Sequence, residues 1–263
     1  IITPSHREED KLILIYDPPF GFIHNVTCSG CHVTYDRSTS SIADALVFDC
    51  ASRRDSMIGM PSQRNKDQRW IWYCPEPPWN TRYVFDKTLV NFHGVFNWTM
   101  TYRVDSDVYA PYSRDLPPVS QNLSEILAKK TSLAAWASSN CAVAERSNAI
   151  RELQKFIKID VFGKCGSEPL CPPPCQYDVM SRYKFYFAFE NSRCKDYIEK
   201  FWMNGLLSGA VPVVIGPKRE EYELVAPPKS FIFVDDFESL EELAYYLLEL
   251  DGNDELYGEY LRW

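Results

Sequence analysis

Tyr183-Lys184-Phe185-Tyr186-Phe187-Ala188-Phe189-Glu190-Asn191-Ser192, followed by Asp196-Tyr197-Ile198-Glu199-Lys200, reads as an aromatic strand, a polar turn and a helix carrying an acid and a base side by side. The strand fixes the turn. Lys200, near the N-terminus of the helix, offers positive charge to a diphosphate. Taken singly, an aromatic strand is core and a Glu-Lys pair is solvated surface; their succession is far more specific than either.

Outward from this stretch, the second half of the chain alternates strand and helix. Residues 133–138, 157–162, 211–215 and 231–234 are apolar runs. Between and after them, Ile150, Leu153, Phe156 and Ile157 recur at helical spacing, as do Leu240, Leu243, Leu247 and Leu250. Ser239 with Glu242 forms a capping-box pattern opening the last of these helices. Such alternation predicts an α/β fold with a parallel sheet wrapped on both faces. Sheets of that kind bind ligands beyond the carboxyl ends of their strands, with phosphates at a helix N-terminus. The first half reads as short strands, at 11–16, 45–48, 70–73 and within the aromatic stretch from Phe92 to Tyr102. Residues 52–68 read as a polar loop, 111–120 as a proline-rich linker and 123–130 as a helix.

A chain of 263 residues suits two domains of ordinary size. Hydrophobic content of 45% and charged content of 24% are globular values. The net charge of -8 argues against a broad nucleic-acid surface and leaves room for one nucleotide in a local basic pocket. Nine cysteines and the sequons at Asn25, Asn97 and Asn122 point to an oxidising, secretory compartment. The odd count leaves at least one thiol unpaired within the chain. No apolar run reaches membrane-spanning length and no signal peptide opens the sequence, which starts almost directly at a strand. The chain is therefore expected to be a soluble portion of something longer.

Several residues have the chemistry of a site. Arg146, at the entry of a helix, can form bidentate bonds to a diphosphate that Lys200 neutralises from the other side; the plain alternative is a surface residue facing Glu145 or Glu152. Glu76, in Cys74-Pro75-Glu76-Pro77-Pro78, is held by flanking prolines as a positioned general base would be. His6, His24, His32 and His93 show no metal-ligand spacing. Cys28-Ser29-Gly30-Cys31 and the Cys171/Cys175 pair are not two matched CxxC knuckles, so disulfides are expected instead of zinc. Cys165, Cys171, Cys175 and Cys194 crowd the loop before the aromatic strand and the turn after it and are expected to staple that region, with a connectivity the sequence leaves open. The cluster from Phe96 to Asp107 combines aromatic faces with hydroxyls and carboxylates, as sugar rings require and as core edges also do.

These segments together resemble the α1,3/4-fucosyltransferases. Pro18-Pro19-Phe20-Gly21, Cys31-His32-Val33-Thr34-Tyr35-Asp36-Arg37 and the stretch from Trp98 to Asp107 look like the acceptor side of that family. The donor stretch, Val213-Val214-Ile215-Gly216-Pro217, Ala226-Pro227-Pro228 and Val234-Asp235-Asp236-Phe237 look like its GDP-fucose side, in the family's order. The resemblance implies a GT-B architecture of two Rossmann-like domains facing across a cleft: 1–118 on the acceptor side, and 119–263 binding GDP-fucose with an incomplete C-terminal end. It implies an inverting transfer of L-fucose from GDP-β-L-fucose to the 3-hydroxyl of a GlcNAc in a glycan or glycoprotein, with no metal or other cofactor and no nucleic-acid partner. Matched by position, Glu76 is the base and Arg146 and Lys200 meet the pyrophosphate. Glu190, Asn191, Tyr197 and Glu199 line the donor pocket, Glu199 near the fucose. Family membership also implies a Golgi-lumenal, single-pass type II protein whose anchor lies outside this chain. The donor helix departs from the family pattern by one missing residue before Glu199. That shortening and the early C-terminus suggest the alternative of a non-catalytic relative that binds GDP-fucose or glycan.

Overall fold

Strands of two to seven residues build two open parallel sheets, one in each of the compact units Ile1–Pro111 and Tyr112–Trp263. The computed structural model describes residues 10–18, 27–53, 57–81, 89–112, 122–172 and 175–263. In the first unit, β1 (Lys11–Ile15), β2 (Cys31–Thr34), β3 (Ala45–Asp49), β4 (Arg69–Cys74), β5 (Trp98–Thr101) and β6 (Val108–Tyr109) pair in the order β2-β1-β3-β4-β5-β6. Every pair is parallel. Leu14, Leu46, Phe48 and Trp70 form its buried core.

The second unit interleaves α1 (Leu123–Lys129), β7 (Ser132–Ala137), α2 (Ala144–Leu153), β8 (Ile159–Phe162), α3 (Cys175–Met180), β9 (Tyr183–Phe189), β10 (Val211–Ile215), α4 (Arg219–Glu223), β11 (Ile232–Phe233), α5 (Leu240–Asp251) and α6 (Asp254–Glu259). The sheet order is β11-β10-β9-β7-β8, again all parallel. Successive side chains of a strand point to opposite faces. Accordingly Phe185, Phe187 and Phe189 pack with Ile150, Leu153, Leu243 and Leu247, whereas Tyr186 and Ala188 pack with Phe201, Trp202 and Tyr222. Cover on both faces explains why β9 is aromatic almost without interruption.

Several expectations need correcting. β2 and β6 did not stand out as apolar runs: β2 is an edge strand with no fully buried residue, and β6 has two residues. The stretch from Phe92 to Tyr102 begins in a 3-10 turn, Leu89–Phe92, and only Trp98–Thr101 is strand. The segment after the donor turn is not α-helical. It is a π-helical turn, Phe201–Gly205, running into a 3-10 turn, Leu206–Ser208. Gly205 and Gly209 weaken an α-helix there. Phe201, Trp202 and Leu206 are nearly fully buried, so packing sets the winding.

Ser239 caps α5 as expected, accepting from the Glu242 N–H at 3.1 Å, but Glu242 Oε2 takes the Glu238 N–H in return, one residue further out. Most of the expected linker at 111–120 lies outside the described residues, as do Pro19-Phe20-Gly21, His6, His24 and Asn25.

Eight of the nine cysteines are joined, as Cys28–Cys31, Cys50–Cys74, Cys141–Cys165 and Cys171–Cys175, and Cys194 is free. Cys194 thus takes no part in stapling the donor region; Cys141 takes its place. Cys50–Cys74 ties the ends of β3 and β4, and Cys141–Cys165 ties the segments after β7 and β8, at Cα separations of 5.1 and 5.4 Å. Neighbouring strands lie about 4.8 Å apart, so strand ends are natural places for a disulfide.

Candidate functional site

In the second unit the strand order reverses between β7 and β9, and the carboxyl ends of all strands share one edge. Loops leaving such a switch point diverge and open a crevice. A cavity of about 510 Å³ occupies that position, lined by Ser138, Ser139 and Asn140 after β7, Gly163 after β8, Asn191, Glu199 and Lys200 after β9, and Arg146 from α2. Gly163 sits at φ 81°, and a Cβ there would come 2.6 Å from the Ser138 carbonyl oxygen. The close approach of these two loops therefore requires glycine.

Arg146 is 1% exposed, not the surface residue its glutamate neighbours suggest. Its Nη1 donates to the Phe189 carbonyl at 3.2 Å, and its Nη2 to Ser138 Oγ at 2.8 Å and the Asn140 carbonyl at 2.5 Å. The guanidinium thus clamps the ends of β7 and β9 together, while Nε makes no bond among the described residues. Burial pulls its pKa down, against the opposing pull of Glu190.

Glu199 and Lys200 pair at 3.2 Å. Tyr197 Oη donates to Glu199 Oε2 at 3.0 Å, and Asn191 Nδ2 donates to Tyr197 Oη at 3.4 Å. Burial works against the charge on Lys200, but Glu199 and Glu190 outweigh it and its pKa rises. The ammonium is therefore a fixed cation at neutral pH. Glu190 and Tyr197, expected in the lining, lie behind the cavity at 3% and 0% exposure. Burial first, and then the charge of Glu199, push the Glu190 carboxyl well above the usual carboxylate range.

In the first unit Glu76 follows β4, half-buried, just before a helical turn at residues 78–81. Asn80, 5% exposed, donates Nδ2 to Glu76 Oε2 at 2.6 Å, and the Thr81 N–H bonds the Pro77 carbonyl at 3.0 Å to close the turn. The prolines and Asn80 together hold the carboxylate in one orientation.

The Phe96–Asp107 cluster folds as β5 and a turn, with Arg103 bonded to Asp105 at 2.7 Å and Thr99 to Asp107 at 2.9 Å. Asn97 and Asn122 are exposed. Asn97 Oδ1 accepts from the Trp70 N–H, and Asn122 Oδ1 caps α1. Among the described residues no three His, Cys, Asp or Glu side chains are placed to hold a metal ion, and no helix is long and apolar enough to cross a membrane.

Sequence reasoning missed Ser138, Asn140 and Gly163. Gly163 had a signal, a glycine directly after an apolar run in an alternating pattern. Asn204 also lines the cavity and donates to Tyr186 Oη at 2.9 Å; it carried none.

A sequence model described as glycosyltransferase family 10 (fucosyltransferase), C-terminal, matches residues 127–263, and one described as fucosyltransferase, N-terminal, matches residues 8–113. The chain is 42% identical over 238 residues to alpha-(1,3)-fucosyltransferase 7 of Rattus norvegicus, covering 89% of this chain and 62% of the relative's length. It is 41% identical to the 4-galactosyl-N-acetylglucosaminide 3-alpha-L-fucosyltransferase FUT6 of Pan troglodytes, covering 99% of this chain and 74% of that protein. A solved α1,3-fucosyltransferase with GDP-fucose superimposes with a TM-score of 0.60 at 15% identity, over 88% of this chain and 72% of that one. At that identity the likeness establishes the fold, the GT-B class of α/β protein that the family resemblance implied.

Proposed function

The chain belongs to glycosyltransferase family 10, the fucosyltransferases, and from that premise we propose that it is an inverting α1,3-fucosyltransferase. It moves L-fucose from GDP-β-L-fucose to the 3-hydroxyl of a GlcNAc in a glycan or glycoprotein. The observation that carries this reading is the convergence of Arg146, Lys200, Glu199 and Asn191 on one cavity at the switch point of the second sheet.

The acceptor oxygen bonds to C1 of fucose as the bond from C1 to the diphosphate oxygen breaks. GDP leaves with the electron pair, and the hydroxyl proton passes to Glu76. Attack on the face opposite GDP inverts the anomeric centre. Lys200 and Arg146 face the charge that grows on the diphosphate; fixed cations in a preformed site cost no reorganisation as it develops. Glu199, held by Tyr197 and Lys200, is directed at the sugar. In this reading residues 1–118 serve the acceptor and 119–263 bind the donor. Chemistry requires no cofactor beyond the donor itself. Four disulfides and the exposed sequon residues Asn97 and Asn122 suit the Golgi lumen, reached as the lumenal part of a type II membrane protein; Asn25 completes the set of proposed glycosylation sites.

GDP release from GDP-fucose, measured with GlcNAc-terminated, lactosamine and N-glycan-core acceptors, tests the proposal. Wild type is expected to show acceptor-dependent turnover. Glu76→Ala should lose on the order of 10²- to 10⁴-fold in kcat, the usual contribution of a general base, while still binding GDP. Tight GDP binding by wild type without turnover on any acceptor would refute the transferase reading.

A further inference from the structure

We infer that Glu190 is a positioning residue of the donor cavity, acting through the backbone of Glu199 and Lys200 without touching the nucleotide sugar. The inference rests on the reading of that cavity as the GDP-fucose site. Glu190 Oε1 accepts from two consecutive amides, Glu199 N–H at 2.9 Å and Lys200 N–H at 2.8 Å. Amides at the start of a helical segment have no partner within it, and one oxygen receiving two of them fixes the first turn about its own axis. Each residue turns an α-helix by about 100°, and the step in a π-helical or 3-10 turn is of the same order. A slip of one position would therefore swing Lys200 and Glu199 off the cavity that both now line.

The anchor is itself anchored. The Glu190 N–H donates to the Ile215 carbonyl at 2.8 Å, joining the end of β9 to the end of β10. On the far side of the turn, Asp196, at φ 63°, donates its N–H to Glu221 Oε2 at 2.5 Å. The connection from Asn191 to Lys200 is thus held in its middle, at Asp196, and at its end, at Glu199 and Lys200, by carboxyl groups that do not line the cavity. Gly216 leaves room for this arrangement: a Cβ there would come 3.0 Å from Glu190 Cγ and 2.3 Å from Tyr222 Oη. Positioning needs an acceptor oxygen and no charge, so glutamine should serve in place of glutamate and alanine should not.

The test combines NMR amide exchange at Glu199 and Lys200 in the unliganded protein with calorimetric GDP titration of wild type, Glu190→Gln and Glu190→Ala. In Glu190→Ala both amides should exchange at least tenfold faster with Phe187 unchanged, and GDP should bind at least tenfold more weakly. Glu190→Gln should keep both amides protected and bind GDP within threefold of wild type. Equal loss of GDP affinity in both variants, with the amides protected in Glu190→Gln, would mean that the charge acts on the ligand and would overturn the inference. Unprotected amides in wild type would overturn it too, even if the alanine variant does not fold. Failure of wild type to bind GDP would refute the donor reading alone, because exchange at the two amides is read without ligand.

Discussion

Arg146 bonds only carbonyl and hydroxyl oxygens among its resolved contacts, although it is 1% exposed. A buried cation without a tightly paired carboxylate is costly, and such a cost is sustained where an anion is to be received. Lysine cannot reproduce a planar fork that reaches three acceptors on two loops. Arg146→Lys is expected to weaken GDP binding at least tenfold in a calorimetric titration, and to destabilise the second unit by about 1–3 kcal/mol through the acceptors it abandons. Gly163→Ala should act on one of those two loops, the one after β7, from the side of the loop after β8. Its Cβ meets backbone and its φ is left-handed, so a loss of at least about 1 kcal/mol and weaker GDP binding are expected from denaturation and titration. Lys200 with Glu199 stood out in the sequence as a charged pair after a strand end, Arg146 was open to a surface reading, and Asn191 was named only through the resemblance; all four line the cavity. That Glu190 and Tyr197 turn behind the cavity was not legible, since the direction of each side chain in the turn depends on Asp196 and on contacts with β10 and α4.

Among the elements, β1, β3, β4, β7 and β10 were legible as apolar runs, and α5 from its spacing and cap. The end of α2 was misjudged: Phe156 and Ile157 continue the helical spacing but lie past its last residue, Leu153, packing from a turn. A larger omission was Lys130, read only as the last residue of the helix expected over 123–130. Its Nζ donates to the carbonyls of Ser181, Tyr183 and Gly209 at 3.0, 2.9 and 2.6 Å, tying the end of α1 to the amino-terminal ends of β9 and β10. Burial, with help from Lys129 and Lys184, brings its pKa down to about 7. The unfolded chain holds that proton up to about pH 10, so between these values it binds more protons than the native state and stability rises with pH. Urea denaturation at pH 7, 8 and 9 should show wild type gaining up to about 1.4 kcal/mol per pH unit relative to Lys130→Met. At pH 7 the variant should itself be about 1–3 kcal/mol less stable through its unsatisfied carbonyls.

Across the whole molecule, the two sheets repeat one plan: both start from an inner strand, place the second strand on one side and continue on the other. The disulfides repeat it as well. Cys50–Cys74 and Cys141–Cys165 each join residues 24 apart in sequence, at the ends of adjacent parallel strands. Loop closure of that length is worth about 3–4 kcal/mol. Alkylation of the unreduced protein should label one thiol, Cys194, and mild reduction before alkylation should lower the thermal midpoint. More than one labelled site without reductant would contradict the pairing. Neither of the two long bridges can close until its crossover has brought two strands side by side, whereas Cys28–Cys31 and Cys171–Cys175 span only three and four positions. Oxidation of the long pairs is therefore a covalent timestamp of assembly. In a chain emerging N-terminus first, the Cys50–Cys74 mark can be written while Cys165 is still unsynthesised, so trapping thiols at intervals would read out the order in which the two sheets form.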